Sequence, residues 1–233
     1  MSAALAPAHT TAAGLWHRYA AWSLDFAVLA PLAAALTWPR LHAGWQQAST
    51  GVGALMADLS QTMADTLMTG VPLPQLAHTL LQDPALLAAA AAVQSGILAM
   101  TVAWLLAYAL LAALWHVGGE CSRWQGSPGK RALQLRVVDL DGQPLRLPQA
   151  ALRHVAGALS WLTLNLGHAL AALPPQRRTL HDYIAGTRVI DVAADPRLPR
   201  WAAAWLWLQA LAAIALPAWW LARRLAALRA GLG

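Results

Sequence analysis

Hydrophobic residues fall in long runs along this chain, not in the short periodic stripes of a soluble domain. The first run, about Trp22 to Trp38, belongs to a helix that starts near Leu15 and is close to the minimum length for a bilayer crossing. The second, Ala85 to about Val117, exceeds what a perpendicular crossing needs and predicts a tilted or projecting helix. The third, Ala151 to Leu173, is punctuated by Arg153, His154, Gly157, Asn165, Gly167 and His168, and Pro174-Pro175 close it. The fourth, Trp201 to Ala222, is uninterrupted, with tryptophans at both ends and Arg223-Arg224 beyond. Trp16, Trp22 and Trp38 suit the two membrane interfaces. The pattern predicts an all-α integral membrane protein with three to four membrane helices and a small cytoplasmic β-hairpin or sheet. A disordered 1–14 leads into a membrane domain over 15–192, with spans near 18–38, 87–117 and 151–173. An extra helix near 201–222 and a basic tail complete 193–233.

The polar stretches between the runs carry their own signals. Residues 39–84 form a long connection with one arginine, Arg40, against Asp58, Asp65 and Asp83, which predicts an external loop. Within it Leu55, Leu59, Met63 and Leu67 recur every four residues, the mark of an amphipathic helix. Asp83-Pro84 reads as a helix cap followed by a first-turn proline. Ala88, Ala92 and Gly96, and then Ala99, Ala103 and Ala107, make small-residue ridges that permit close helix approach in lipid. Gly118-Gly119 is expected to end the second helix. Leu133 to Asp139 reads as a strand, Asp141-Gly142 as a tight turn, and Gln143 to Leu147 as a return strand. Gly186 to Val192 has the same strand character.

Composition agrees with the pattern. Only 11% of the 233 residues are charged and 58% are hydrophobic, where a soluble domain carries about a quarter charged. The net charge of +6 comes from basic residues in short loops beside apolar runs, which is a topology signal and argues against nucleic acid as a partner. Cys121 is the single cysteine, so neither an intrachain disulfide nor a cysteine-based zinc site can form. Asp25 within the first run, with Arg18 seven residues before it, argues against a cleaved signal peptide, although Ala33-Ala34-Ala35 could mimic a cleavage site.

Charge also bears on topology. Four simple crossings put ten of the sixteen Lys and Arg residues inside and six outside; if 151–173 instead enters and leaves on one side, the split becomes twelve and four. The positive-inside rule thus leans towards a re-entrant third segment. The two strand patterns add weight, since they can pair only on one side of the membrane.

Gly126-Ser-Pro-Gly-Lys130 invites a phosphate-loop reading that fails, because Trp124 stands where the first glycine belongs and Arg131 follows the lysine. Ser127 and Lys130 have the Ser-x-x-Lys spacing of acyl-transfer enzymes, but Pro128-Gly129 predicts a bend in place of the helix turn that chemistry needs. No nucleophile, base and orienting group assemble, so no enzyme activity, cofactor or metal site is expected. Arg178, His181 and Asp182 in the run from Arg177 read equally as a charged cap with a local salt bridge. Asp25 stands out, since a carboxylate in an apolar segment marks either a transport pathway or a structural pair that pins the helix.

These pieces together resemble the RDD family, named for one arginine and two aspartates. Arg18 and Asp25 match its arginine at the start of the first helix and the aspartate within it. The stretch Gly126-Ser127-Pro128-Gly129-Lys130 through Gly142 is similar to its central signature, and Arg153 to the arginine opening the next helix. Arg178 to Thr187, including His181, Asp182 and Gly186, resembles its closing signature, which makes Asp182 the second aspartate. The resemblance implies a multi-pass bacterial inner-membrane protein, N-terminus cytoplasmic, suspected of transporting an ion or small solute. On that reading Arg18, Asp25 and Asp182 form one charged site, and a homo-oligomer supplies the enclosed volume that three or four spans lack. The competing expectation is a non-transporting scaffold whose cytoplasmic face binds a protein partner or the anionic headgroups of the lipid bilayer.

Overall fold

The computed structural model describes residues 11–70, 72–163, 165–195 and 197–231. The chain runs β1 (Thr11–Ala12), α1 (Leu15–Leu36), α2 (Trp38–Thr69), α3 (Leu73–Gln82), α4 (Pro84–Cys121), α5 (Pro128–Ala132), β2 (Leu135–Asp139), α6 (Leu147–Leu162), α7 (Leu166–Ala169), a 3₁₀ turn (Leu170–Ala172), α8 (Leu180–Ile184), β3 (Thr187–Asp191) and α9 (Arg200–Gly231). It is a helical membrane protein with a small sheet. Among the described residues three helices are long and apolar enough to cross a bilayer: Leu15–Leu36, Pro84–Cys121 and Arg200–Ala227. The third apolar run is not among them, because it breaks into α6, α7 and the 3₁₀ turn. Its first helix, 16 residues long, reaches only about 24 Å against a hydrocarbon core of about 30 Å.

Two compact units divide the chain, one made of Met1–Ala27 with Ala113–Gly233, the other of Val28–Ala112. In the second unit, the expected external loop is nearly all helix. A continuous α2 ends at Gly70, whose φ of 67° supplies the left-handed cap that stops it. Leu55 and Leu59 are half-buried while Met63 and Leu67 are exposed. Buried Gly44, Ala48 and Gly51 of α2 meet α4 at Ala89, Val93 and Gly96. A Cβ on Gly96 would lie 2.6 Å from the Gly44 carbonyl, so this crossing needs glycine on both helices. The ridge in contact therefore runs through Ala89 and Gly96; exposed Ala88 lies off it.

The first unit holds the sheet, ordered β1-β3-β2 and antiparallel throughout. Leu135 pairs with Asp191, Val137 with Val189 and Asp139 with Thr187, and this face packs on Ala13, Ala20, Ala21, Leu145, Ala150 and Ala202. Alanine dominates the helix side of that core, so the backbones lie close to the strands. Three sequence expectations change here. The return strand after Gly142 shrinks to a single Val138–Pro144 bridge, since proline has no N–H for a ladder and Pro148 already starts α6. The real partner of β2 is β3, 52 residues on from Leu135. Helix α4 passes Gly118-Gly119 and ends at Cys121; Gly119 is a contact point, where a Cβ would lie 2.8 Å from the Gly126 carbonyl. Of the expected disordered stretch 1–14, residues 1–10 lie outside the described residues, while Thr11 and Ala12 pair with Asp191 and Ile190.

Candidate functional site

The buried charges of the first unit fall into two clusters. In the first, Asp182 is the third residue of α8, where Thr179 caps the helix. The Thr179 hydroxyl accepts from the Asp182 N–H, and the Asp182 carboxylate accepts from the Thr179 N–H at 3.0 Å, a capping box. The same carboxylate accepts from Arg18 Nη1 at 2.6 Å, from Arg153 Nε at 3.0 Å and from the Thr187 hydroxyl at 3.2 Å. Arg18, in the first turn of α1, also donates to the carbonyls of Ala13 (3.1 Å) and Arg177 (2.7 Å). Arg153 turns its other edge to Glu120, with Nη1 at 2.6 Å from Oε1, and Lys130 Nζ reaches the same oxygen at 2.7 Å. The cluster thus ties α1, α4, α5, α6 and α8 through charge-assisted hydrogen bonds.

His181 lies beside Arg153, with Nε2 3.2 Å from Nη2. A guanidinium can only donate, so Nε2 is the acceptor and the proton sits on Nδ1. Burial, with the Arg153 charge behind it, lowers the His181 pKa to about 2, which keeps the imidazole neutral. Burial alone would push the Asp182 carboxyl up, but Arg153 and Arg18 outweigh it and hold that carboxyl well below the usual carboxylate range. Arg178 clamps the cluster from outside, donating to the carbonyls of Thr187 (3.0 Å) and Asp182 (2.9 Å). Gly186, at φ 62°, makes the left-handed step from α8 into β3.

The second cluster centres on Asp25, two turns further along α1. Its carboxylate accepts from Trp115 Nε1 (2.8 Å), the Gly129 N–H (2.8 Å) and the Ser127 hydroxyl (2.5 Å). His116 Nδ1 stands 4.0 Å away. Ser127 is the N-cap of α5, and Pro128 takes its first position. The expected bend at Pro128-Gly129 is therefore a single helical turn, and its cap hydroxyl is already engaged with Asp25. Gly129 permits the contact: a Cβ there would collide with the Ala21 carbonyl and lie 2.9 Å from the Asp25 carboxylate.

Arg18, Asp182, Arg153, Arg178, His181 and Thr187 come together as one group, and Lys130 joins through Glu120. Asp25 does not join them. Seven residues put it near Arg18 on the helical wheel but roughly 10 Å along the axis, and each side chain is taken up by a different element. The expected single Arg18–Asp25–Asp182 site is thus two. Glu120, Trp115 and His116 were missed from sequence. Glu120 carried one signal, being the chain's only glutamate, placed at the end of an apolar run. Among the described residues no three His, Cys, Asp or Glu side chains group closely enough to hold a metal ion.

A model of the RDD family matches residues 12–186. The chain belongs to the RDD family. The match takes in both clusters apart from Thr187, includes β2, stops just before β3 and leaves α9 outside. Searches of curated proteins and of solved structures find no match. Within this RDD domain the arginine of α1 and the aspartate of α8 are direct partners, and the aspartate of α1 serves the turn at Ser127–Lys130. Helix α9 joins by another route: Trp205 Nε1 (3.0 Å) and Gln209 Nε2 (3.2 Å) both donate to the Ser23 hydroxyl on α1.

Proposed function

We propose that this RDD protein is a multi-pass scaffold of the bacterial inner membrane, neither transporter nor enzyme, whose charged residues fasten a small sheet to the membrane helices. The observation that carries this reading is the state of Asp25: both its oxygens are engaged, by three protein donors from α4, the Ser127 cap and α5. A transport carboxylate has to exchange its partners for a cargo, whereas these donors are a backbone N–H, a cap hydroxyl and a packed indole. With α1, α4 and α9 as crossings, twelve Lys and Arg fall on the sheet side and four opposite, which supports a cytoplasmic sheet and N-terminus. The outer sheet face offers Arg136 and Arg188, both exposed, and Arg131 lies 4.4 Å over the exposed Trp124 ring. Such a basic, bilayer-anchored surface suits anionic headgroups or an acidic protein segment.

A second reading, ion or proton transport through an assembled oligomer, is favoured by one contact: Asp25 and His116 are titratable side chains on two crossing helices, 4.0 Å apart. Proteoliposomes separate the two. The scaffold reading expects Asp25→Asn to lower the melting temperature while proton and monovalent-cation flux stays at the background of empty vesicles for both proteins. Flux by the wild type that disappears in Asp25→Asn at equal reconstitution would overturn it.

A further inference from the structure

Helix α6 is amphipathic in the reverse sense to a helix of a soluble domain. Ala150, Arg153, Ala156 and Ser160 recur every three or four residues on one face, and all are buried, Arg153 at 7% and Ser160 at 0% exposure. The opposite face presents Leu152, Val155 and Leu159 at 48%, 68% and 45% exposure. Leu166 and Leu173, in the turns that follow, are 68% and 61% exposed. A helix that buries arginine and serine while turning leucine and valine outward has an apolar solvent on its outer side.

The backbone says how far that solvent is entered. Asn165 takes φ 67° immediately beyond α6 and turns the chain. By Arg177 it is back at the start of α1, where the Arg177 carbonyl accepts from Arg18 and the Arg177 guanidinium donates to the Ala12 carbonyl at 3.3 Å. Ten residues later β3 pairs with β2. A segment that leaves and re-enters the same sheet region, and is too short to cross, returns to the side it came from. Its polar turn backbone is tolerable because its N–H groups are bonded within the segment: Asn165 to the Ser160 carbonyl at 2.7 Å, Leu166 to that of Thr163 at 3.0 Å and His168 to that of Asn165 at 3.0 Å.

We propose that α6, α7 and the 3₁₀ turn form a leaflet-embedded hairpin, with the Leu152–Val155–Leu159 face lying among the acyl chains of the sheet-side leaflet. The crossings are then α1, α4 and α9, and the C-terminus emerges opposite the sheet. The occupant of the face is the bilayer, because the hairpin adjoins the bilayer-crossing α1 at the level of Arg18 and Arg153. This proposal stands apart from the scaffold reading, since a transporter could carry the same hairpin.

Two measurements test it in the full chain with Cys121→Ser. Single cysteines are placed at Gln176, Arg136 and Arg229 and labelled with a membrane-impermeant thiol reagent in intact and lysed cells. Gln176→Cys is expected to label on the same side as Arg136→Cys, and Arg229→Cys on the other. Opposite behaviour of 176 and 136 would mean that the segment crosses, and the proposal would be wrong. Nitroxides at Val155 and Leu159 in liposomes are expected to relax with oxygen and stay shielded from an aqueous nickel chelate. Relaxation by the chelate would place this face in water, and shielding from both would place it against a second protein; either result overturns the hairpin.

Discussion

Asp182 and Asp25 are buried carboxylates in the same unit, at 0% and 2% exposure, and they are satisfied by opposite means. Asp182 is held by two guanidiniums, a hydroxyl and a backbone N–H. Asp25 has no Lys or Arg within ion-pair distance among the described residues and is held by an indole, a hydroxyl and a backbone N–H. The first arrangement joins five helices through charge, so losing one member strands several others. The second is a local latch between α1, α4 and α5, whose neutral donors can be removed one at a time.

The contrast breaks most visibly at Arg153, which serves both Asp182 and Glu120. Arg153→Met leaves two buried carboxylates short of a cation, and a loss of about 3–5 kcal/mol is expected. It should appear as a collapse of detergent-solubilised yield and melting temperature.

The pH dependence of the first cluster comes next in size. His181 stays neutral in the folded protein, with its pKa lowered to about 2, and takes a proton in the unfolded chain near its ordinary value of about 6.5. The unfolded state then binds more protons below about pH 6.5, so stability falls as pH falls, by up to about 1.4 kcal/mol per unit. His181→Gln keeps an acceptor for Arg153 and should flatten that slope between about pH 6.5 and 5 in a melting series. An unchanged slope would assign it to other histidines.

Asp25→Asn probes the latch. An amide oxygen can accept from Trp115 and Gly129, but its NH₂ forces the Ser127 hydroxyl to turn from donor to acceptor, for a loss of about 1–3 kcal/mol in melting experiments. That is smaller than the Arg153 effect. Ser127→Ala removes one donor and the α5 cap together and should cost about 1 kcal/mol. If Ser127→Ala matched Arg153→Met, the latch would not be local and the comparison would fail.

Much of this was legible in the chain. The α1, α4 and α9 runs were visible because length and apolarity suffice to define a crossing, and β2 and β3 showed their alternation. The arginine of α1 and the aspartate of α8 were identified by type and order. Partnership was not legible. Arg18 and Asp25 share a helical face, and only the placement of α8 against one and α5 against the other divides them. Glu120 follows two glycines that suggested a helix end, and its role depends on Lys130 and Arg153 arriving from separate elements. Helix α2 was legible only in part, as the Leu55–Leu67 stripe; the rest of it is held where Gly44 packs on Gly96 and Gly51 on Ala89 and Val93 of α4.

The sequence by itself determined that the protein resides in a membrane, where its three apolar helices lie and which residues carry charge, since these follow from hydrophobicity and local propensity. Only the tertiary structure decided that β2 pairs with β3, that the 151–173 run breaks into α6, α7 and a 3₁₀ turn, and that the two aspartates belong to separate sites. Those outcomes rest on contacts between residues tens to more than a hundred positions apart, which no local pattern encodes.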